Sequence, residues 1–114
     1  MTLFFSHCLI PKRLVYGECK VPLKSEGWRG FLTLCQKAET VDQLDELFGL
    51  LFTLEEKEQL ALRVELVRAL LRGEKPQREI AHDLNISIAK ITRGSNALKT
   101  TSDKIKSFIK KYLP

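Results

Sequence analysis

The sequence predicts an all-α fold: a six-helix chain with a helix-turn-helix reading head, assembled as an intertwined homodimer. Three observations predict it. Apolar residues recur at i, i+3, i+4 and i+7, with almost no strand-like alternation after residue 25. Polar residues of capping type stand just ahead of these runs. The longest run is apolar over more than one face, and a single domain of 114 residues has little else to cover the second face. A second copy of the chain would cover it; a central helix buried within one protomer is the alternative.

The first helix is expected from about Ser25 to Ala38, with Trp28, Phe31, Leu32 and Cys35 forming its apolar stripe and Trp28 read as a core residue. Thr40-Val-Asp-Gln43 has the form of a capping box. It opens a short helix carrying Leu44, Leu47 and Phe48, which Gly49 is expected to end. Thr53-Leu-Glu-Glu56 is a second capping box, starting a long helix to about Leu71 with Gly73 as its stop. Leu60, Val64, Val67 and Leu71 lie on that helix, and Leu62, Leu66, Ala69 and Leu70 widen the stripe. Arg63 interrupts it, so its charge either snorkels to water or meets a ligand.

Residues 77–96, QREIAHDLNISIAKITRGSN, read as helix, tight turn and helix. Pro76 suits the first helical turn. Ile80 and Leu84 give the first helix an inner face, Ala81 is small where two helices cross, and Ile86, Ile88 and Ile91 fill the angle. Asn85 tolerates the left-handed backbone of the turn, and Ser87 caps the second helix. On that helix Ile88, Ile91, Ser95 and Leu98 share one side, while Ala89, Lys90, Arg93 and Asn96 point the other way. Short and basic side chains on an outward face suit entry into a DNA groove, although helical hairpins without DNA partners share the same inner pattern. Thr101-Ser102 then caps a last helix with Ile105, Phe108, Ile109 and Tyr112, whose lysines form a solvated face.

Charge supports this organisation. Lys and Arg outnumber Asp and Glu four to one in residues 1–24 and nine to four in 74–114, but fall behind six to nine in 25–73. A basic C-terminal third favours an anionic partner such as nucleic acid. No apolar run reaches the roughly 18 residues of a membrane span, so no membrane partner is expected. Three cysteines without CxxC spacing argue against a disulfide framework and a zinc site, which makes the cytoplasm the expected compartment. Neither Cys8, Cys19 and Cys35 with His7 and His82 nor any pair of carboxylates makes a catalytic constellation, and an enzyme is excluded on that ground.

The stretch LLRGEKPQREIAHDLNISIAKITRGSNALK (70–99), above all LRGE (71–74), QRE (77–79) and ITRGSN (91–96), resembles the bacterial tryptophan repressor family, with a weaker match back to Trp28. The resemblance implies a repressor-like domain over 25–114 with its helix-turn-helix at 76–98. It implies a homodimer that uses L-tryptophan as corepressor to bind a palindromic double-stranded operator of tryptophan biosynthesis or salvage genes, with no other cofactor and no metal. The ligand residues it implies are Leu50, Phe52, Thr53, Arg63, Val67, Arg93 and Gly94. Arg63 and Arg93 would flank the indole, and carbonyls of Leu50 and Phe52 would hold the ammonium. For DNA it implies Gln77, Arg78, Ile88, Ala89, Thr92 and Arg93, beside the outward-facing Lys90. The chain departs from the family pattern at Ala81, in place of a phosphate-binding lysine for which Lys75, Lys90 or His82 would have to compensate. Ala97 replaces a pocket serine, and Asn85 and Ser87 replace turn glycines.

Two other functions fit the same residues. One is a helix-turn-helix DNA-binding protein that does not respond to tryptophan; the other is a helical protein-interaction adaptor, which would lack salt-dependent DNA affinity. Residues 1–24 match nothing in the family. Translation starting near Val15 or Val21 would explain them, and a basic arm on neighbouring DNA phosphates is the competing reading.

Overall fold

The computed structural model describes residues 26–114, so the readings of the 1–24 extension, of His7, Cys8 and Cys19 and of the start site lie outside the described residues. Six helices and no strand are present among the described residues: α1 Glu26–Lys37, α2 Val41–Leu51, α3 Leu54–Arg72, α4 Gln77–Leu84, α5 Ile88–Lys99 and α6 Asp103–Tyr112. The chain divides into two compact units after Lys57.

In the first unit, α2 begins where the sequence places it, because the Thr40 hydroxyl accepts a hydrogen bond from Gln43 N at 3.0 Å. The reciprocal half of the box is shifted by one residue, since Gln43 Oε1 accepts from Glu39 N. Gly49 does not end the helix. Of the described glycines only Gly73 takes a positive φ, and α2 runs on to Leu51, with Phe52 N–H donating to the Phe48 carbonyl. An aromatic cluster binds α1 to the end of α2: Phe31 lies 5.8 Å from both Phe48 and Phe52, ring centre to ring centre. Trp28 is not the core residue expected from the stripe, because it stacks on Phe31 at 5.4 Å yet remains 44% exposed. Cys35 is half-buried and unbridged.

The Thr53 box forms in full. Thr53 Oγ1 accepts from Glu56 N at 3.1 Å and Glu56 Oε1 accepts from Thr53 N at 2.9 Å, satisfying two donors that would otherwise lack partners at the start of α3. Gly73, with φ +65°, follows the end of α3 as a residue with a side chain would not do without strain.

The buried core of the second unit is Leu66 of α3, Ile80 and Ala81 of α4 and Ile91 of α5, edged by Ala69, Leu70, Leu84 and Ile86. Ala81 is buried as its small size requires. Ile88 departs from expectation. It is 51% exposed and does not fill the angle of the hairpin, because the turn at Asn85–Ser87 leaves the first residue of α5 outside the crossing. Near the end of the chain, Nη2 atoms of Arg68 and Arg72 both donate to the main-chain oxygen of Pro114.

Candidate DNA-reading hairpin and ligand cavity

The hairpin is set by local chemistry. Pro76 lies just outside α4 as its N-cap, one residue earlier than the sequence suggests, and its carbonyl accepts from the amides of Glu79 and Ile80. Asn85 adopts the left-handed conformation, φ 53° and ψ 49°, and its amide closes α4 on the His82 carbonyl. Ser87 Oγ accepts from Lys90 N at 3.2 Å and fixes the start of α5. Asn and Ser at these positions therefore build the turn that glycines could also build, from a narrower set of unfolded conformations.

Gln77, Arg78, Ile88, Ala89, Lys90, Thr92 and Arg93 are all exposed. Gln77 and Arg78 stand at the leading edge of α4 and the other five on α5, where Thr92 returns its hydroxyl to the Ile88 carbonyl at 3.1 Å. Two of the cations expected to compensate for Ala81 are differently placed. Lys75 Nζ is 2.7 Å from Asp83 Oδ2, tying the loop before the hairpin to α4. The His82 side chain is 90% exposed, with Nδ1 3.7 Å from Asp83 Oδ1.

The Lys75 hydrogen bond holds the Asp83 carboxyl below its ordinary value of 3.8, and the same bond raises the Lys75 ammonium above 10.5. The depressed carboxyl contributes stability above pH 3.8 that is lost as pH falls through its lowered value. The raised ammonium contributes below pH 10.5 and is lost as pH rises through its raised value. Both groups face solvent, so the effect is small. Melting Lys75→Met beside the parent protein is expected to show a slightly lower Tm at neutral pH and an offset that shrinks at acidic pH as the Asp83 carboxyl takes up its proton. An equal offset at both pH values would mean that the lysine acts through packing.

Behind the hairpin, α3, α5 and α6 enclose an open cavity of about 430 Å³, within the usual size of small-molecule sites. Its wall from α3 includes Arg63, Leu66 and Val67; its wall from α5 includes Lys90, Arg93, Gly94 and Ala97; Ile105 and Ile109 of α6 complete it. Gly94 has a steric reason to be glycine: a Cβ there would stand 2.9 Å from Leu66 Cδ2 and 3.4 Å from Leu70 Cδ1. The two helices pack directly through that gap.

Four of the seven ligand residues expected from the resemblance, Arg63, Val67, Arg93 and Gly94, thus line one cavity. Leu50, Phe52 and Thr53 belong to the first unit, around the end of α2 and the start of α3. Lys90, read from the sequence as a DNA contact, lines the cavity too. The missed signal was its spacing: Lys90, Arg93, Gly94 and Ala97 are i, i+3, i+4 and i+7 on one helical face.

A short hairpin turned by a left-handed Asn, with an exposed and partly basic second helix, is the architecture of the helix-turn-helix class. The family model described as Trp repressor protein matches residues 26–113, and the chain belongs to that family of transcriptional regulators. It is 47% identical over 90 residues to a Trp operon repressor homolog of Chlamydia trachomatis, covering 79% of this chain and 96% of the relative. A homolog of the same description from Chlamydia caviae is 48% identical over 84 residues, covering 74% and 83%. One from Haemophilus influenzae is 38% identical over 88 residues, covering 77% and 87%. The family is regulatory and not enzymatic. Among the described residues no helix is long and apolar enough to cross a membrane, and no group of His, Cys, Asp and Glu could hold a metal ion.

Proposed function

We propose that the chain is a tryptophan-dependent repressor, which binds a palindromic operator as a homodimer when L-tryptophan occupies the cavity between α3 and α5. The observation that carries this reading is the pair Arg63 and Arg93, on facing helices of one apolar cavity. Planar guanidinium groups stack on an aromatic ring and attract a carboxylate, and lysine reproduces only the second of these. The same α5 carries Arg93 toward the cavity and Ile88, Ala89 and Thr92 on its exposed surface, so a bound ligand favours one orientation of the reading head.

Dimerisation has separate support. Large apolar side chains are exposed in both units: Trp28, Leu32 and Leu50 in the first, Leu60, Val64, Phe108 and Tyr112 in the second. A second copy of the chain would cover such surface.

Calorimetric titration of L-tryptophan tests the reading. One ligand per chain is expected, with operator affinity rising as the cavity fills, and Arg63→Ala is expected to bind at least about tenfold more weakly. Its fold is expected to be intact, because Arg63 is exposed. Unchanged tryptophan affinity in Arg63→Ala would refute the cavity assignment. Operator binding indifferent to tryptophan would leave a helix-turn-helix protein without this effector.

A further inference from the structure

Three cations line the cavity, not two, and no carboxylate does. Arg63 comes from α3, and Lys90 and Arg93 from successive turns of α5. None of the three forms an ion pair with a described acidic residue: the ion pairs of the second unit engage Arg68, Lys75, His82 and Lys106 instead. Their charge is therefore available to a ligand. The remainder of the wall is mainly aliphatic, and residue 97, facing the cavity one turn beyond Arg93, is an alanine with no group to offer an ammonium. The cavity's own side chains offer a negative end three cations and a positive end no carboxylate, only the neutral oxygens of Gln59 and Thr101.

We propose that Lys90 is a ligand-binding residue that receives the carboxylate, and that it makes this cavity select flat apolar ligands by their negative group more than by their ammonium. The inference rests on the tryptophan reading above and deepens it. It moves Lys90 from the DNA surface to the effector site, which also removes the last of the three cations that could replace the phosphate-binding lysine absent at Ala81. Unpaired charges around an apolar cavity repel a cation and attract an anion, and the direct contact sets the larger share of the discrimination.

Three probes separate the groups: L-tryptophan carries both charges, indole-3-propionate only the carboxylate, and tryptamine only the ammonium. Each is titrated calorimetrically into the full chain and into Lys90→Gln and Lys90→Arg. The parent protein is expected to bind the two carboxylates and to bind tryptamine at least about tenfold more weakly. Lys90→Gln is expected to weaken both carboxylates about five- to tenfold and leave tryptamine unchanged, and Lys90→Arg to restore most of the loss. The proposal is overturned if Lys90→Gln leaves both carboxylates unaffected, or if its only effect is a salt slope reduced by about one phosphate contact. Equal binding of tryptamine and tryptophan by the parent would overturn it while leaving the tryptophan reading intact. Failure of all three probes on the parent would remove that reading and this one together.

Discussion

Ile91→Ala is expected to lower unfolding free energy by about 3–4 kcal/mol, read from urea denaturation at fixed protein concentration. Ile91 is fully buried, at 0% exposure, and sits where α5 meets α4 and α3 among Leu66, Ile80 and Ala81. Truncation removes the transfer energy of three carbons and leaves a void that neither helix can close, because Ala81 and Gly94 have already brought the helices as near as they can come. With domain stabilities of roughly 5–15 kcal/mol, a change of this size is a large part of the whole. Ile91→Val, which deletes one methyl, is expected to cost about 1 kcal/mol. A loss below 1 kcal/mol for the alanine variant would mean that the buried cluster is not the core of the folded protein. If the chain dimerises, the comparison holds only between samples of equal concentration.

Arg93→Ala is expected to weaken tryptophan binding and DNA binding together, with stability changed by less than about 0.5 kcal/mol. Exposure and the lack of an ion pair in the described residues make the side chain dispensable for folding. Its place on the cavity wall carries the proposed tryptophan contact, and its place on the reading helix carries the proposed DNA contact. Tryptophan affinity is expected to fall at least about tenfold, and the slope of log operator affinity against log salt to become shallower by about 0.9 for one lost phosphate contact. Arg93→Lys separates the two roles. It keeps the charge, so the salt slope is expected to remain, but it lacks the planar group, so tryptophan binding is expected to stay low. Full tryptophan affinity in both variants would remove Arg93 from the ligand site.

The membership of the chain in its family was legible in the residues of 70–99, and most helix ends were legible from short-range hydrogen bonds. Thr53 with Glu56, and Ser87 with the amide of Lys90, close within three residues, so the sequence spacing is already the geometry. Asn85 is similar: its tolerance of a left-handed backbone is a property of the residue, and the turn adopts it. Gly49 was misread because a glycine stops a helix only where the following chain departs, and here Leu50 and Leu51 continue it.

Helical periodicity tells which residues share a face and leaves open what that face meets. The sequence by itself determined six helices, most of their caps, the hairpin turn and the small residue at 81 where two helices cross, because these depend mainly on residue type and on neighbours within about one turn. Only the tertiary structure decided that Lys90 joins Arg63 and Arg93 around one cavity, that Lys75 is committed to Asp83, and that Trp28 and Ile88 remain substantially exposed. Those outcomes depend on how whole helices are placed by the packing of Leu66, Ile80, Ala81 and Ile91, and of Phe31 with Phe48 and Phe52, contacts between residues distant in sequence that no local pattern encodes.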